Sequence, residues 1–125
     1  MKVKFKKTHP DAKIPVKHYD DDFCYDLYAT SCEEIAPNVY KYGLGLAFQI
    51  DEDYIKAMRK GGYVLSIDIR PRSSIWKTGM IMTNSVGTVD EGYTNEICAI
   101  FYHVLTNLQR YSVGDRVAQL KIGLT

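Results

Sequence analysis

A chain of 125 residues suits one domain around one core. Its 16 basic and 15 acidic residues leave a net charge of +1, too little to draw in nucleic acid or an anionic membrane from a distance. Cys24, Cys32 and Cys98 have neither CxxC spacing nor a nearby His pair, so they read as thiols of a reducing compartment and exclude a disulfide frame or zinc site.

Met1 to Lys7 is basic with no apolar run after it, unlike a secretion signal. No stretch is long and apolar enough to cross a bilayer, and a soluble cytosolic protein is expected. Within this start Val3 and Phe5 alternate with lysines, which predicts a half-buried strand whose lysines blunt a sheet edge. His9-Pro10-Asp11 is a turn, and Ile14, Val16 and His18 suggest a second short strand near an edge. Asp20, Asp21 and Asp22 read as a solvated loop in preference to a cation site.

Phe23 to Thr30 is strand-like with one charge, Asp26. A lone buried carboxylate is costly, so Asp26 is either a hydrogen-bond hub or part of a site. Ser31 to Asn38 reads as a loop around Pro37, and Tyr40 to Ile50 as strand interrupted by Gly43 and Gly45. Asp51 opens the one convincing helix. It is an N-cap, Glu52 and Asp53 suit the first turn, Arg59 and Lys60 the last, and Gly61 stops it. Tyr54, Ile55 and Met58 form its apolar stripe, expected to pack on the core.

Tyr63 to Ile69 alternates as a strand, and Arg70 to Ser74 follows with two guanidinium groups and two hydroxyls around Pro71. That set suits forked bonds to phosphate, or a polar turn with surface ion pairs. Met80 to Met82 leads into Asn84 to Thr94, expected to be a hairpin or tight loop bent at Gly87 and Gly92. It offers the Asn84 amide, the Asp90 carboxylate and the Tyr93 ring. These could hold a polar, planar molecule, or could be turn chemistry alone. Glu96 to Leu105 reads as the longest apolar strand, central in its sheet. Tyr111 to Asp115 is a turn, and Arg116 to Ile122 the last strand, with Arg116 and Gln119 polar. Many short strands, glycine turns and one short helix imply an all-β barrel or sandwich.

Four segments read together resemble the trimeric dUTPases, deoxyuridine triphosphate nucleotidohydrolases. Tyr25-Asp26-Leu27-Tyr28-Ala29 resembles the first motif of that family. Pro71-Arg72-Ser73-Ser74, followed by Lys77-Thr78-Gly79, resembles the second. Asn84 to Tyr93, with Gly87, Asp90 and Tyr93 in register, resembles the third, and Gly114-Asp115-Arg116-Val117-Ala118-Gln119 the fourth. The likeness covers nearly the whole chain. Phe23 and Cys24 stand where the family usually has small residues, and Thr94 and Asn95 replace a basic or amide residue and a glycine. The family's glycine-rich fifth motif, a lid with an Arg and a Phe, is not present before Thr125; either it was removed or this member works without it.

The resemblance implies an all-β, β-clip or distorted jelly-roll-like barrel with one short helix. It implies a homotrimer with active sites at subunit interfaces, the third motif coming from a neighbouring chain. The implied reaction is dUTP plus water giving dUMP and pyrophosphate, with Mg²⁺ on the triphosphate. Carried over onto this sequence, Asp90 would activate the water and Asp26 would hold metal-bound water. Arg72 would steady the site, and Ser73, Ser74 and Gln119 would donate to phosphate oxygens. Asn84, and the backbone at Gly87, Thr88, Val89 and Cys98, would meet the uracil, and Tyr93 would lie against the deoxyribose. The alternatives are a non-catalytic nucleotide-binding or regulatory trimer, or a dCTP deaminase-like enzyme. The latter needs a glutamate about where Ile97-Cys98-Ala99-Ile100 has none.

Overall fold

The computed structural model describes residues 3–15, 24–90 and 92–124. Val16 and His18 of the second expected strand, Phe23, and the Asp20 to Asp22 run lie outside these residues. Ile14 lies within them but belongs to no strand.

The first half of the chain forms β1 (Val3–Lys7), β2 (Tyr25–Tyr28), β3 (Ser31–Ala36), β4 (Val39–Gly43) and β5 (Leu46–Ile50), followed by α1 (Glu52–Lys60). The second half forms β6 (Leu65–Arg70), a 3₁₀ turn over Ser73–Thr78, β7 (Met80–Met82), β8 (Gly87–Val89), β9 (Cys98–His103) and β10 (Arg116–Leu124). One four-stranded sheet runs β2-β10-β6-β8 and another β3-β4-β9-β7, with β1 and β5 as a separate ribbon. Every strand pairing is antiparallel. Alternation along β6 buries Leu65, Ile67 and Ile69 and leaves Ser66, Asp68 and Arg70 partly exposed, as a half-buried strand requires.

One apolar cluster joins the sheets, with Leu27, Ile67 and Leu120 from the first and Tyr42, Phe101 and Met80 from the second. Burying each large side chain contributes roughly 1.5–3 kcal/mol. At its centre Tyr42, Phe101 and Tyr111 meet edge to face, with centroids 5.6 to 6.3 Å apart. The Tyr42 hydroxyl donates to the Tyr111 carbonyl at 2.7 Å, so the buried phenol is satisfied.

Four expectations change. Ser31–Ala36 is a strand, not a loop. It is an edge strand with nearly every side chain exposed, so it shows no apolar alternation. Only Pro37 and Asn38 turn, and Asn38 has φ 61°, the left-handed backbone that a type II turn places after proline. The longest strand is β10, not β9, although β9 does lie inside its sheet. The α1 stripe is only half-buried and no helix residue is fully covered. The caps are as expected: Asp51 accepts from the Asp53 N–H at 2.8 Å. Finally, β7 and β8 do not pair with each other. The Asn84 turn carries the chain from one sheet to the other.

Gly79 closes the 3₁₀ turn at φ 68°, and its carbonyl accepts from both Val104 and Leu105. A Cβ there would collide with the Leu105 carbonyl. Gly79→Ala is expected to lower stability by about 2–3 kcal/mol, read as an earlier urea midpoint at fixed protein concentration.

Candidate active site

The first cavity, about 230 Å³, opens where β8 of one sheet passes the start of β9 of the other. Its walls collect Asn84, Gly87, Thr88, Val89, Asp90, Tyr93 and Cys98, so the third-motif residues do converge. Local main-chain bonds shape them. Ser85, at φ 61°, donates to the Met82 carbonyl at 3.1 Å, which turns the chain into β8. Gly87 lies so close to the Asn84 amide that a Cβ would stand 3.0 Å from Asn84 Nδ2. The Tyr93 N–H donates to the Asp90 carbonyl at 2.9 Å, a tight turn that sets carboxylate and ring side by side in sequence and cavity.

The Tyr93 hydroxyl donates to the Glu96 carbonyl at 3.0 Å and fixes the ring. Glu96 is fixed in turn, because one of its carboxylate oxygens accepts the Gly45 N–H at 2.8 Å. Thr88 spends its hydroxyl on Asp68 at 3.3 Å, so toward the cavity it has chiefly its peptide groups to offer. β8 pairs with β6 on one side and, among the described residues, with no strand on the other, so alternate peptide groups along this edge are left open. Burial pushes the Cys98 thiol pKa up, which keeps it a neutral wall group.

The second cavity, about 500 Å³, contains Arg72 and Ser74 together with Lys77, Arg110, Tyr111, Asp115 and Arg116. Four cationic side chains face one carboxylate. That carboxylate already accepts the Ser112 N–H at 2.7 Å. Such a surplus suits a polyanion. Arg72 Nη1 donates to the Arg116 carbonyl at 3.3 Å, and the Arg110 guanidinium stacks 4.4 Å over the Tyr40 ring.

The remaining predicted residues surround this cavity without lining it. Asp26 pairs with Arg116 at 3.1 Å across the β2–β10 ladder, which answers its burial cost. Gln119 faces Asp26 in register and donates to the Pro71 carbonyl at 2.9 Å, holding the strand end from which Arg72 emerges. Ser73 is exposed at the start of the 3₁₀ turn. Among the described residues the two cavities share no lining residue: Asp90 lines the first, and Arg72 with the other cations lines the second.

Sequence reasoning gave Lys77, Arg110 and Tyr111 no role. Lys77 was read only within the stretch that fits the second motif, Tyr111 only as the start of a turn, and Arg110 not at all. No group of three His, Cys, Asp or Glu side chains that could hold a metal ion occurs among the described residues. None of the cysteines is in a disulfide, and no described helix is long and apolar enough to cross a membrane.

No family model matches the chain. A deoxyuridine 5'-triphosphate nucleotidohydrolase of Helicobacter pylori strain 26695 is 33% identical over 123 residues, covering 95% of this chain and 76% of that protein. The protein of that name from Nautilia profundicola is 31% identical over 124 residues, covering 98% and 80%. Among solved structures, the dUTPase of Staphylococcus aureus phage phi11, described with a structural Mg(II) ion, superposes with a TM-score of 0.71 at 17% identity. That match covers 98% of this chain and 90% of the phage protein. A variant dUTPase of Staphylococcus bacteriophage 80alpha with dUpNHpp gives a TM-score of 0.73 at 18% identity, over the same shares. These structures carry the fold, and the sequence relatives carry the family: the chain belongs to the deoxyuridine 5'-triphosphate nucleotidohydrolases, the dUTPases.

Proposed function

We propose that the chain is a dUTP diphosphatase that works as a homotrimer in the cytosol. Each active site joins the first cavity of one protomer to the second cavity of another. The observation that carries this reading is the separation of the Asp90 cavity from the Arg72 cavity within one chain. Neither half can perform the reaction alone. Assembly is further supported by apolar exposure on the second sheet, where Ile81 and Tyr102 face each other in register at 55% and 46% exposure.

The uracil lies in the first cavity. Its edge pairs with backbone groups along the open edge of Gly87, Thr88 and Val89, with the Asn84 amide and with the backbone at Cys98. In this reading a methyl group at carbon 5 meets the cavity wall, which excludes thymine. The Tyr93 ring, fixed through Glu96, lies against the deoxyribose and leaves a 2′-hydroxyl unpartnered.

The triphosphate extends into the cationic cavity of the neighbour, against Arg72 and Ser74. Asp90 takes a proton from the attacking water, whose oxygen bonds to the α-phosphorus. The bond from that phosphorus to the bridging oxygen breaks, and pyrophosphate leaves with the electron pair. Arg72 and the hydroxyls of Ser73 and Ser74 take up the charge moving onto it, and Gln119 keeps the Arg72 strand end in place.

Bound magnesium supplies charge neutralisation across the phosphates. Asp26 would be the residue to hold its water. A single carboxylate with one oxygen engaged by Arg116, and no ligand cluster among the described residues, suits an outer-shell contact and not direct coordination.

The test is pyrophosphate release from dUTP with Mg²⁺, beside dTTP, UTP and dCTP. Strong preference for dUTP is expected. Tight binding without release would leave a regulatory trimer, and ammonia from dCTP would point to a deaminase. Tyr93→Ala is expected to raise kcat/KM for UTP relative to dUTP by about tenfold to a hundredfold. An unchanged ratio would remove the sugar-reading role from the ring.

A further inference from the structure

The reaction described above makes no use of Tyr111, yet its side chain is the least explained part of the cationic cavity. The residue is 5% exposed. Tyr42 and Phe101 clamp its ring edge to face, at 6.3 and 5.6 Å between centroids. The Tyr42 hydroxyl ties down its carbonyl at 2.7 Å. The ring is therefore rigid, and its hydroxyl oxygen stands at a fixed point. That oxygen is closed to solvent and makes no well-formed hydrogen bond among the described residues. A buried hydroxyl without a partner is destabilising, and native proteins rarely keep one without a use.

The neighbour is Arg72. Its guanidinium stands close enough to oppose the upward push that burial gives the phenol pKa. Apart from that close approach to the phenol, the guanidinium makes a long bond, 3.3 Å from Nη1 to the Arg116 carbonyl, and it carries five N–H groups in all. A phosphate chain entering the cavity would draw the fork off this loose tether. Without a second anchor the fork would then be free to rotate.

We propose that Tyr111 is a positioning residue for Arg72: its fixed phenol oxygen accepts a guanidinium N–H when a polyphosphate is bound, and so sets the angle of the fork. Because the oxygen is closed to solvent, Tyr111 acts on the ligand through Arg72 and not by touching it. The ligand class is a nucleoside or inorganic polyphosphate. The inference rests on reading this cavity as the triphosphate subsite, and the experiment separates the two.

Tyr111→Phe removes one oxygen and keeps the ring. Inorganic tripolyphosphate binding and dUTP turnover are measured on the assembled protein with Mg²⁺. Tripolyphosphate affinity is expected to fall about tenfold and KM for dUTP to rise about tenfold, with kcat within about twofold. The melting temperature should hold or rise, because an unsatisfied hydroxyl is lost. A merely structural role would lower stability and affinity together, and that outcome overturns the proposal.

In an Arg72→Lys background the same change should cost less than about twofold, since the group it positions is gone. An undiminished loss there, or parental affinity in Tyr111→Phe alone, also overturns it. If the parent itself fails to bind tripolyphosphate, the reading of the cavity falls and the role of Tyr111 with it. If the parent binds, Arg72→Lys binds weakly and Tyr111→Phe binds normally, only the positioning role is lost.

Discussion

Asp90→Asn is expected to lower kcat for dUTP by about a thousandfold while leaving nucleotide affinity within about threefold. The substitution keeps the shape of the side chain and removes its basicity. It also spares the local fold. The turn is held by the main chain, through the Asp90 carbonyl and the Tyr93 N–H, and neither group changes. Asp90 is exposed at the cavity wall, so no buried charge is lost. Single-turnover kinetics with dUTP, paired with equilibrium binding of a non-hydrolysable analogue, separate the two quantities. Parental turnover in Asp90→Asn would sink the assignment of the base.

The second large effect concerns assembly. Arg72→Ala is expected to be nearly inactive, because the cationic cavity loses its forked donor; a drop of about a hundredfold is the scale for one such contact. Asp90→Asn is nearly inactive for an unrelated reason. Unfolded together in equal amounts and refolded, the two should recover about a quarter of parental activity if subunits mix at random. In the proposed trimer a site needs an intact Asp90 from one protomer and an intact Arg72 from another, and each is present with even odds. The measurement is steady-state dUTP hydrolysis against protein concentration for the mixture and for each variant alone. A mixture no better than its parts would place the whole site within one chain and contradict the separation of the two cavities.

What the sequence made legible was local. The helix could be read because its caps, end charges and stop lie within eleven adjacent residues, Asp51 to Gly61, and each acts on its immediate neighbours. The loop from Asn84 to Tyr93 was legible only in part: Gly87, expected to bend it, lies in extended β8, and the left-handed backbone falls on Ser85 at φ 61°. Strand β3 could not be read. An exposed edge strand has no buried face to print a period on its residues, and its identity comes from pairing with β4.

The cation cavity was equally hidden. Asp26 finds Arg116 ninety residues along the chain, and Lys77 and Arg110 line one cavity only because the topology brings their segments together. The two readings left open for Asp26, hub or site, therefore needed its partner to be seen. The ion pair with Arg116 supplies the partner that its burial requires, and Arg116 itself lines the cationic cavity.

The open edge of β8 has a consequence for how selectivity could be lost. A base recognised by peptide N–H and C=O groups is recognised by atoms that all residue types but proline share. Most point changes at Thr88 or Val89 would then leave the recognition surface in place, and proline, which deletes a donor, would not. Fidelity written into the main chain is hard to erode by drift, and equally hard to retune toward another pyrimidine by exchanging side chains on that strand.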